Sequence, residues 1–195
     1  MVSRQTGVLP TLALLSVTAA WGSTFFLIKD LLVEVSVLDF LSIRFALAAA
    51  ALLALAPTSV LKLSRAELRH GVVLGLVYGV AQVLQTLGLE RTPASVSGFV
   101  TGMYVVATPI FAAILLRERI STIVWVAVAV AAIGLGFLSL QGFSVSYGVM
   151  VTFASAMLYA LHIIGLGRWS RTSHAFGLSI VQMTVIAVVC TIVSA

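Results

Sequence analysis

The chain has 195 residues, of which 61% are hydrophobic and only 9% carry a charge, and its mean hydropathy is +1.19. A soluble domain is about 45–50% apolar and about 25% charged, so this composition excludes a soluble enzyme or binding domain and indicates an integral membrane protein. The net charge of +5 does not indicate nucleic-acid binding, because the basic residues stand in small groups at the ends of apolar segments.

The apolar segments are each about 20 residues long, which is the length that a spanning helix needs. The first continues past the signal-like pattern Thr18-Ala19-Ala20 to Ile28, so a spanning helix is favoured over a removed signal peptide. The sequence therefore predicts an all-α, polytopic transmembrane helix bundle with about seven spans. These are residues 8–28, 37–56, 70–89, 93–116, 121–140, 147–167 and 175–195.

The placement of lysine and arginine predicts the orientation of the spans. Cytoplasmic loops hold an excess of these residues. One side of the predicted spans carries eight of them, namely Arg4, Lys62, Arg65, Arg69, Arg117, Arg119, Arg168 and Arg171. The other side carries only Lys29 and Arg91. We therefore expect a multi-pass protein of the plasma or inner membrane with a cytoplasmic N-terminus.

Small and polar residues recur at helical spacing on the third and fourth predicted spans. The third carries Gly71, Gly75, Gly79, Gln82 and Thr86 on one stripe. On the fourth, Gly98 and Gly102 form a GxxxG pair, which lets another helix approach closely. We expect these two faces to meet each other or a cavity. Thr92 as N-cap and Pro93 at the first helical position predict where the fourth span begins.

A weak internal repeat links the two ends of the chain. The same offset of 138 residues separates Trp21 from Tyr159 and Arg44 from Gln182. Five spans per repeat is an odd number, so a second copy must be inverted, as in many transporters. This predicts a first repeat of five helices in residues 1–144. Residues 145–195 would hold the first two helices of a second, truncated copy.

An ordered set of short motifs resembles the EamA family of the drug/metabolite transporter superfamily, and the likeness covers nearly the whole chain. The motifs are Ala20-Trp21-Gly22-Ser23-Thr24-Phe25 before Lys29, Ile43-Arg44-Phe45, Gln85-Thr86-Leu87-Gly88-Leu89, Thr92-Pro93-Ala94-Ser95, Thr108-Pro109 and Glu118.

Members of that family resemble ten-helix bundles made of two inverted five-helix repeats. The resemblance implies a transporter of small metabolites or drug-like solutes, working outward by alternating access between the repeats. The partners it implies are a small-molecule solute and the lipid bilayer, with a homo-oligomer left open. A truncated, non-transporting membrane protein or a partner-dependent subunit is the alternative.

Polar and aromatic side chains within the spans are the candidate substrate-binding residues, because intramembrane polar groups are costly and often functional. They are Trp21, Arg44, Gln82, Gln85, Thr101, Tyr104 and Tyr159. Arg44 can bind an anionic group or reach outward toward Asp39, Glu34 or Asp30. Both glutamines can face the same pocket or form interhelical hydrogen bonds.

Two further positions in the spans have open interpretations. Pro109 removes a helical hydrogen bond and is either a hinge or a tolerated kink, with Tyr104 one turn before it near the midplane. His162 is interpreted as a hydrogen-bonded packing residue rather than a proton carrier.

The sequence offers no support for an enzyme, a metal site or a cofactor. His70, His162 and His174 lie in different segments without metal-ligand spacing, and there is no phosphate-binding loop. All six acidic residues fall in loops or at the ends of spans, so none is expected at the midplane to carry a proton.

Overall fold

The computed structural model describes residues 8–117, 121–140, 146–170 and 174–194. Within these ranges the secondary structure is entirely helical, which confirms the predicted all-α fold. A short 3₁₀ helix spans Val60–Lys62. The α-helices are α1 Val8–Leu31, α2 Val37–Leu55, α3 Arg65–Glu90, α4 Ala94–Thr101, α5 Tyr104–Leu116, α6 Thr122–Leu140, α7 Tyr147–Trp169 and α8 Ala175–Ser194.

Six segments of the described chain are long and apolar enough to cross a membrane. They are Pro10–Leu31, Val37–Leu55, Arg65–Glu90, Ala94–Leu116, Tyr147–Trp169 and Ala175–Ser194. Each coincides with one of the seven predicted spans. The remaining predicted span, 121–140, corresponds to α6, and its crossing of the membrane stays a prediction.

The two ends of α3 are each fixed by a side chain. Ser64 and Glu67 form a capping box, in which the Ser64 hydroxyl accepts from the Glu67 N–H at 3.2 Å and a Glu67 carboxylate oxygen accepts from the Ser64 N–H at 2.8 Å. This cap starts the helix at Arg65, five residues before the predicted start. At the other end, Lys29 of α1 donates to the carbonyls of Leu89 and Glu90, at 2.9 and 3.1 Å.

Helix α3 packs against both α7 and α8, and α2 packs on the other side of α8. The small residues of α3 make these contacts close: a Cβ on Gly75 would lie 3.0 Å from the Cα of Gln182 in α8. On the α7 side, a Cβ on Gly88 would lie 2.8 Å from the Gly148 carbonyl oxygen. The glycines of the α3 stripe therefore meet α8, and the prediction that they meet the stripe of the fourth span is wrong. The alternative of a cavity is confirmed, because Gly75 and Gly79 also line a cavity of about 220 Å³ beside α8.

The GxxxG pair of the fourth span does not mediate a close helix contact. Helix α4 ends at Thr101, where the Gly102 N–H donates to the Gly98 carbonyl and the Met103 N–H to the Val100 carbonyl, both at 3.1 Å. The bond to Gly98 is still α-helical, and the chain tightens into a break directly after Gly102, so the shared face of the two glycines ends there. A Cβ on Gly98 would meet only the ring of Phe25, at 3.8 Å.

Pro109 does not interrupt the fourth span, because α5 continues through it to Leu116. The hydroxyl of Thr108 donates to the Tyr104 carbonyl at 2.6 Å within that turn. The start of α4 also differs from the prediction by one residue. Pro93 is the N-cap, with extended backbone (φ −53°, ψ 140°), and the buried Thr92 hydroxyl makes no hydrogen bond in the described structure.

Candidate functional site

Five of the seven predicted site residues meet where α1, α3, α4, α5 and α7 converge. Gln85 donates through Nε2 to the Thr101 hydroxyl at 3.1 Å and accepts through Oε1 from the Tyr159 hydroxyl at 2.8 Å. The Tyr104 ring lies 6.2 Å from the Trp21 ring and 6.3 Å from the Tyr159 ring, between centroids. We call Trp21, Gln85, Thr101, Tyr104 and Tyr159 the central cluster.

The polar members of the central cluster are buried and satisfy one another. Gln85 is 7% exposed, Thr101 1% and Tyr159 6%. Buried polar groups in proteins are nearly always hydrogen-bonded, and this chain of two bonds meets that requirement across three helices. The aromatic members Trp21 and Tyr104 are less covered, with Trp21 37% exposed. The cluster therefore combines a buried, hydrogen-bonded polar centre with two partly exposed aromatic rings.

Arg44, from α2, reaches the edge of the central cluster. A narrow cleft there is lined by Trp21, Thr24, Phe25, Ile28, Arg44, Gln85, Thr86 and Leu89. Trp21, Arg44 and Gln85 are thus brought to one opening, as the sequence predicts. The cleft lies on the side of the loops that follow α1 and α3.

The guanidinium of Arg44 lies over two aromatic rings, 5.8 Å from the Phe40 centroid and 5.6 Å from that of Phe45. Among the described residues it forms no ion pair and no hydrogen bond. Asp39 instead accepts from Ser36, at 2.6 Å, and from Ser194. The predicted alternative, in which Arg44 reaches an acidic side chain, is therefore not observed.

Gln82 lies one turn from Gln85 but does not line this cleft. Its Nε2 donates to the Tyr78 hydroxyl at 2.8 Å, and its Oε1 is buried without a partner in the described structure. Tyr78 stacks on His162, with ring centroids 4.8 Å apart, and His162 Nε2 lies 2.7 Å from Gln182 Oε1. Gln82 therefore belongs to a second polar group that extends toward α8, and His162 has a hydrogen-bonded place in it.

Tyr78 is the contact that links the two groups, and sequence reasoning missed it. Its ring centroid lies 5.8 Å from that of Tyr159. The available signal was its position four residues before Gln82, which places both on one face of α3. Aromatic residues in spans are common, however, and only the packing of α7 on α3 brings this one to the site.

On the opposite side of the central cluster, a larger cavity of about 670 Å³ lies between α5 and α7. Its lining residues are Thr108, Ala112, Leu116, Ile163, Ile164, Gly167 and Arg168. Thr108 stands one turn after Tyr104, and Ile163 stands one turn after Tyr159. Along α5 and α7, the Tyr104 and Tyr159 rings therefore stand one turn from this cavity, on the side toward the cleft beside Arg44.

Comparison with known proteins assigns the family. A model of the EamA-like transporter family matches residues 9–140, more than half of the chain. The chain belongs to this family. An uncharacterized transporter of Archaeoglobus fulgidus is 29% identical over 164 residues, which cover 84% of this chain and 50% of the relative. The chain thus spans about half the length of this relative, and no solved structure matches it significantly.

Membership of the EamA-like family, together with the six apolar helices, makes this a multi-pass membrane protein of a transporter family. It also supports a non-enzymatic role. Among the described residues, no group of three histidine, cysteine or acidic side chains is placed to hold a metal ion.

Proposed function

We propose that this protein carries small metabolites or drug-like solutes across the plasma or inner membrane, with the central cluster as the point that the solute must pass. The observation that carries the proposal is the pair of Tyr104 and Tyr159 rings, 6.3 Å apart, with the narrow cleft beside Arg44 toward one end of the bundle and the cavity between α5 and α7 toward the other. The larger cavity has the size of a small-molecule site, which is usually about 300–1,000 Å³. Family membership supports the same function.

The proposed mechanism is alternating access between two inverted repeats, and the proposed direction is outward. In this mechanism the Arg44 side of the bundle opens when the α5–α7 side closes, and the tyrosine pair separates as the solute moves between them. Binding uses the rings of Trp21 and Tyr104 for apolar parts of the solute. The hydroxyl and amide groups of the cluster then give up hydrogen bonds to one another and form hydrogen bonds to the polar parts of the solute.

A reversible crosslink across the tyrosine pair tests the function. In a Cys190→Ser background, Tyr104→Cys and Tyr159→Cys are joined with a short bifunctional thiol reagent in reconstituted vesicles. Counterflow of a panel of small metabolites and dyes should occur before crosslinking, stop after it, and return on reduction. Each single cysteine variant treated with the same reagent is the matched control. Counterflow that persists through the crosslinked pair would place the pathway elsewhere.

A partner-dependent subunit is the second candidate. It is favoured by the exposure of the α1 side of the central cluster, where Trp21 is 37% exposed and its neighbour Phe26 is 60% exposed. In that case a further helix, from a second copy or another chain, covers Trp21. Crosslinking from a cysteine at Phe26 in native membranes distinguishes the candidates, because only an assembly gives a larger product.

A further inference from the structure

Arg44 stands between the narrow cleft and a groove on the outside of the bundle. Residues Thr24, Leu27, Ile28, Leu31, Phe40 and Arg44 line this groove. Helix α1 packs mainly on α4 and α3, while α2 packs mainly on α8 and α3, so the groove lies between two helices that have little direct contact. Leu27 is 67% exposed there. Arg44, Thr24 and Ile28 line both openings, so the groove adjoins the cleft at the edge of the central cluster.

No acidic side chain pairs with Arg44 within the described part of the chain, and its charge is met only by the faces of Phe40 and Phe45. A guanidinium stays protonated at any physiological pH, and an intramembrane charge is normally paired. Arg44 stands seven residues into α2, about 10 Å below its outer end at a rise of about 1.5 Å per residue. Its nearest acid along the helix, Asp39, is bonded to Ser36 and Ser194 instead. An acid group that reached Arg44 would gain a charge-assisted, bidentate interaction.

The two threonine hydroxyls of the cleft offer a ligand no hydrogen-bond donor. The Thr24 hydroxyl already donates to the Trp21 carbonyl at 2.6 Å, and that of Thr86 donates to the Gln82 carbonyl at 2.8 Å. A hydroxyl has a single proton, so both oxygens retain only acceptor capacity. The groove itself is lined mainly by apolar side chains. Of Arg44, Thr24 and Thr86, only Arg44 can therefore donate to a ligand, and it does so beside an apolar groove.

We propose that Arg44 binds the carboxylate of a small amphipathic organic acid whose apolar part lies in the groove between α1 and α2. This rests on the proposed function and names the class of solute that its site selects. A free acid is preferred to an anionic lipid because a lipid phosphate stays at the interface, whereas Arg44 lies about 10 Å inside the end of its helix.

The test uses pairs of probes that differ only in the acid group: octanoate with octanamide, and indole-3-acetate with indole-3-acetamide. Affinity is measured by titration of the purified protein in phosphatidylcholine nanodiscs. The acid should bind at least tenfold more tightly than its amide. Arg44→Gln should reduce the acid to the affinity of the amide, and Arg44→Lys should keep part of the preference. Arg91→Gln, an exposed arginine on the same side, is the matched control and should change nothing.

Three results would overturn the inference: equal affinity for acid and amide, no binding of either, or an acid preference that survives Arg44→Gln. The wild-type comparison decides the first two even if the variant is unstable. Native mass spectrometry of nanodiscs containing phosphatidylglycerol provides the lipid arm. If phosphatidylglycerol is retained only when Arg44 is present, and if it displaces octanoate, the site binds a lipid headgroup. The proposal of a free acid would then be wrong. Counterflow of neutral solutes without acid preference would leave the proposed function intact and remove only this inference.

Discussion

At the scale of single residues, Gln85 shows what the sequence could and could not specify. A glutamine in a spanning helix must find a partner, so its involvement in a polar site was predictable from hydropathy alone. Its partners were not, because Thr101 and Tyr159 stand 16 and 74 residues away. For the same reason the sequence placed Gln82 in the same pocket, whereas its actual partner is Tyr78, one turn earlier on its own helix.

Removing the Tyr159 hydroxyl is expected to destabilise the fold modestly, by an amount that depends on whether Gln85 is present. Interhelical hydrogen bonds in membranes contribute about 0.6 kcal/mol on average, so Tyr159→Phe should lower the free energy of unfolding by about that amount. Gln85→Leu should cost more, since it leaves the hydroxyls of both Tyr159 and Thr101 without their partner. The measurement is a double-mutant cycle in detergent-titration unfolding. Strictly additive losses would show that the bond contributes nothing.

Lys29 is expected to stabilise the end of α3 from another helix. Its ammonium bonds to two of the last carbonyls, where the helix macrodipole is negative, and such a cation contributes about 0.3–1 kcal/mol. Lys29→Met should therefore lower the unfolding free energy by an amount in that range. Lys62→Met is the control, because Lys62 is exposed and makes no described bond. Equal effects of the two substitutions would show that the bonds from Lys29 to the end of α3 do not stabilise the fold.

At the scale of elements, hydropathy predicted the positions of the helices well. It predicted their caps, breaks and packing partners less well. A run of apolar residues reports where a chain can cross lipid, so most predicted bounds lie within a few residues of the observed ones. The start of α3 was missed although Ser64 and Glu67 carry the capping-box pattern in the sequence. The small stripe of α3 was recognised but given the wrong partner. Periodicity shows which face of a helix is small, and not which helix packs on it.

The closest helix approach is expected to be at Gly88 rather than at the GxxxG pair. A Cβ at Gly88 would collide with the Thr152 hydroxyl and the Gly148 carbonyl of α7, and overpacking of this kind costs about 1–3 kcal/mol. Gly88→Ala should thus lower the unfolding free energy by that amount. Gly98→Ala is the matched control, since its Cβ meets only a ring at 3.8 Å, and should have an effect below about 0.5 kcal/mol. A larger loss of unfolding free energy for Gly98→Ala than for Gly88→Ala would show that the GxxxG pair mediates a close helix contact, as the sequence predicts.

At the scale of the whole molecule, the offset of 138 residues pairs α1 with α7 and α2 with α8. In the structure α2 and α8 pack against each other, and Trp21 and Tyr159 both contact the Tyr104 ring. Contacts between equivalent elements are what a two-fold relation produces. Of the two pairs, α2 and α8 pack in this way, whereas α1 packs mainly on α4 and α3. The inverted repeat stays a prediction. The sequence suggested a repeat because residues 138 positions apart have similar side chains. Which helices then pack together depends on the shapes of their surfaces, and no single segment of the sequence shows these.

The orientation and the number of spans are decided together by thiol labelling in sealed cells. The bias of eight basic residues against two predicts that α6 carries the chain from the cytoplasm outward, so its two ends should label from opposite sides. In a Cys190→Ser background, a cysteine at exposed Tyr147 should react with an impermeant reagent from outside, and one at Ser121 should react only after permeabilisation.

Cysteines at Glu34 and Leu61, which flank α2, are the reference pair for outside and inside. If Ser121→Cys and Tyr147→Cys label from the same side while the reference pair behaves as expected, α6 does not cross the membrane and the bundle has six spans. If the reference pair is reversed, the N-terminus is outside, and the cleft beside Arg44 opens to the cytoplasm.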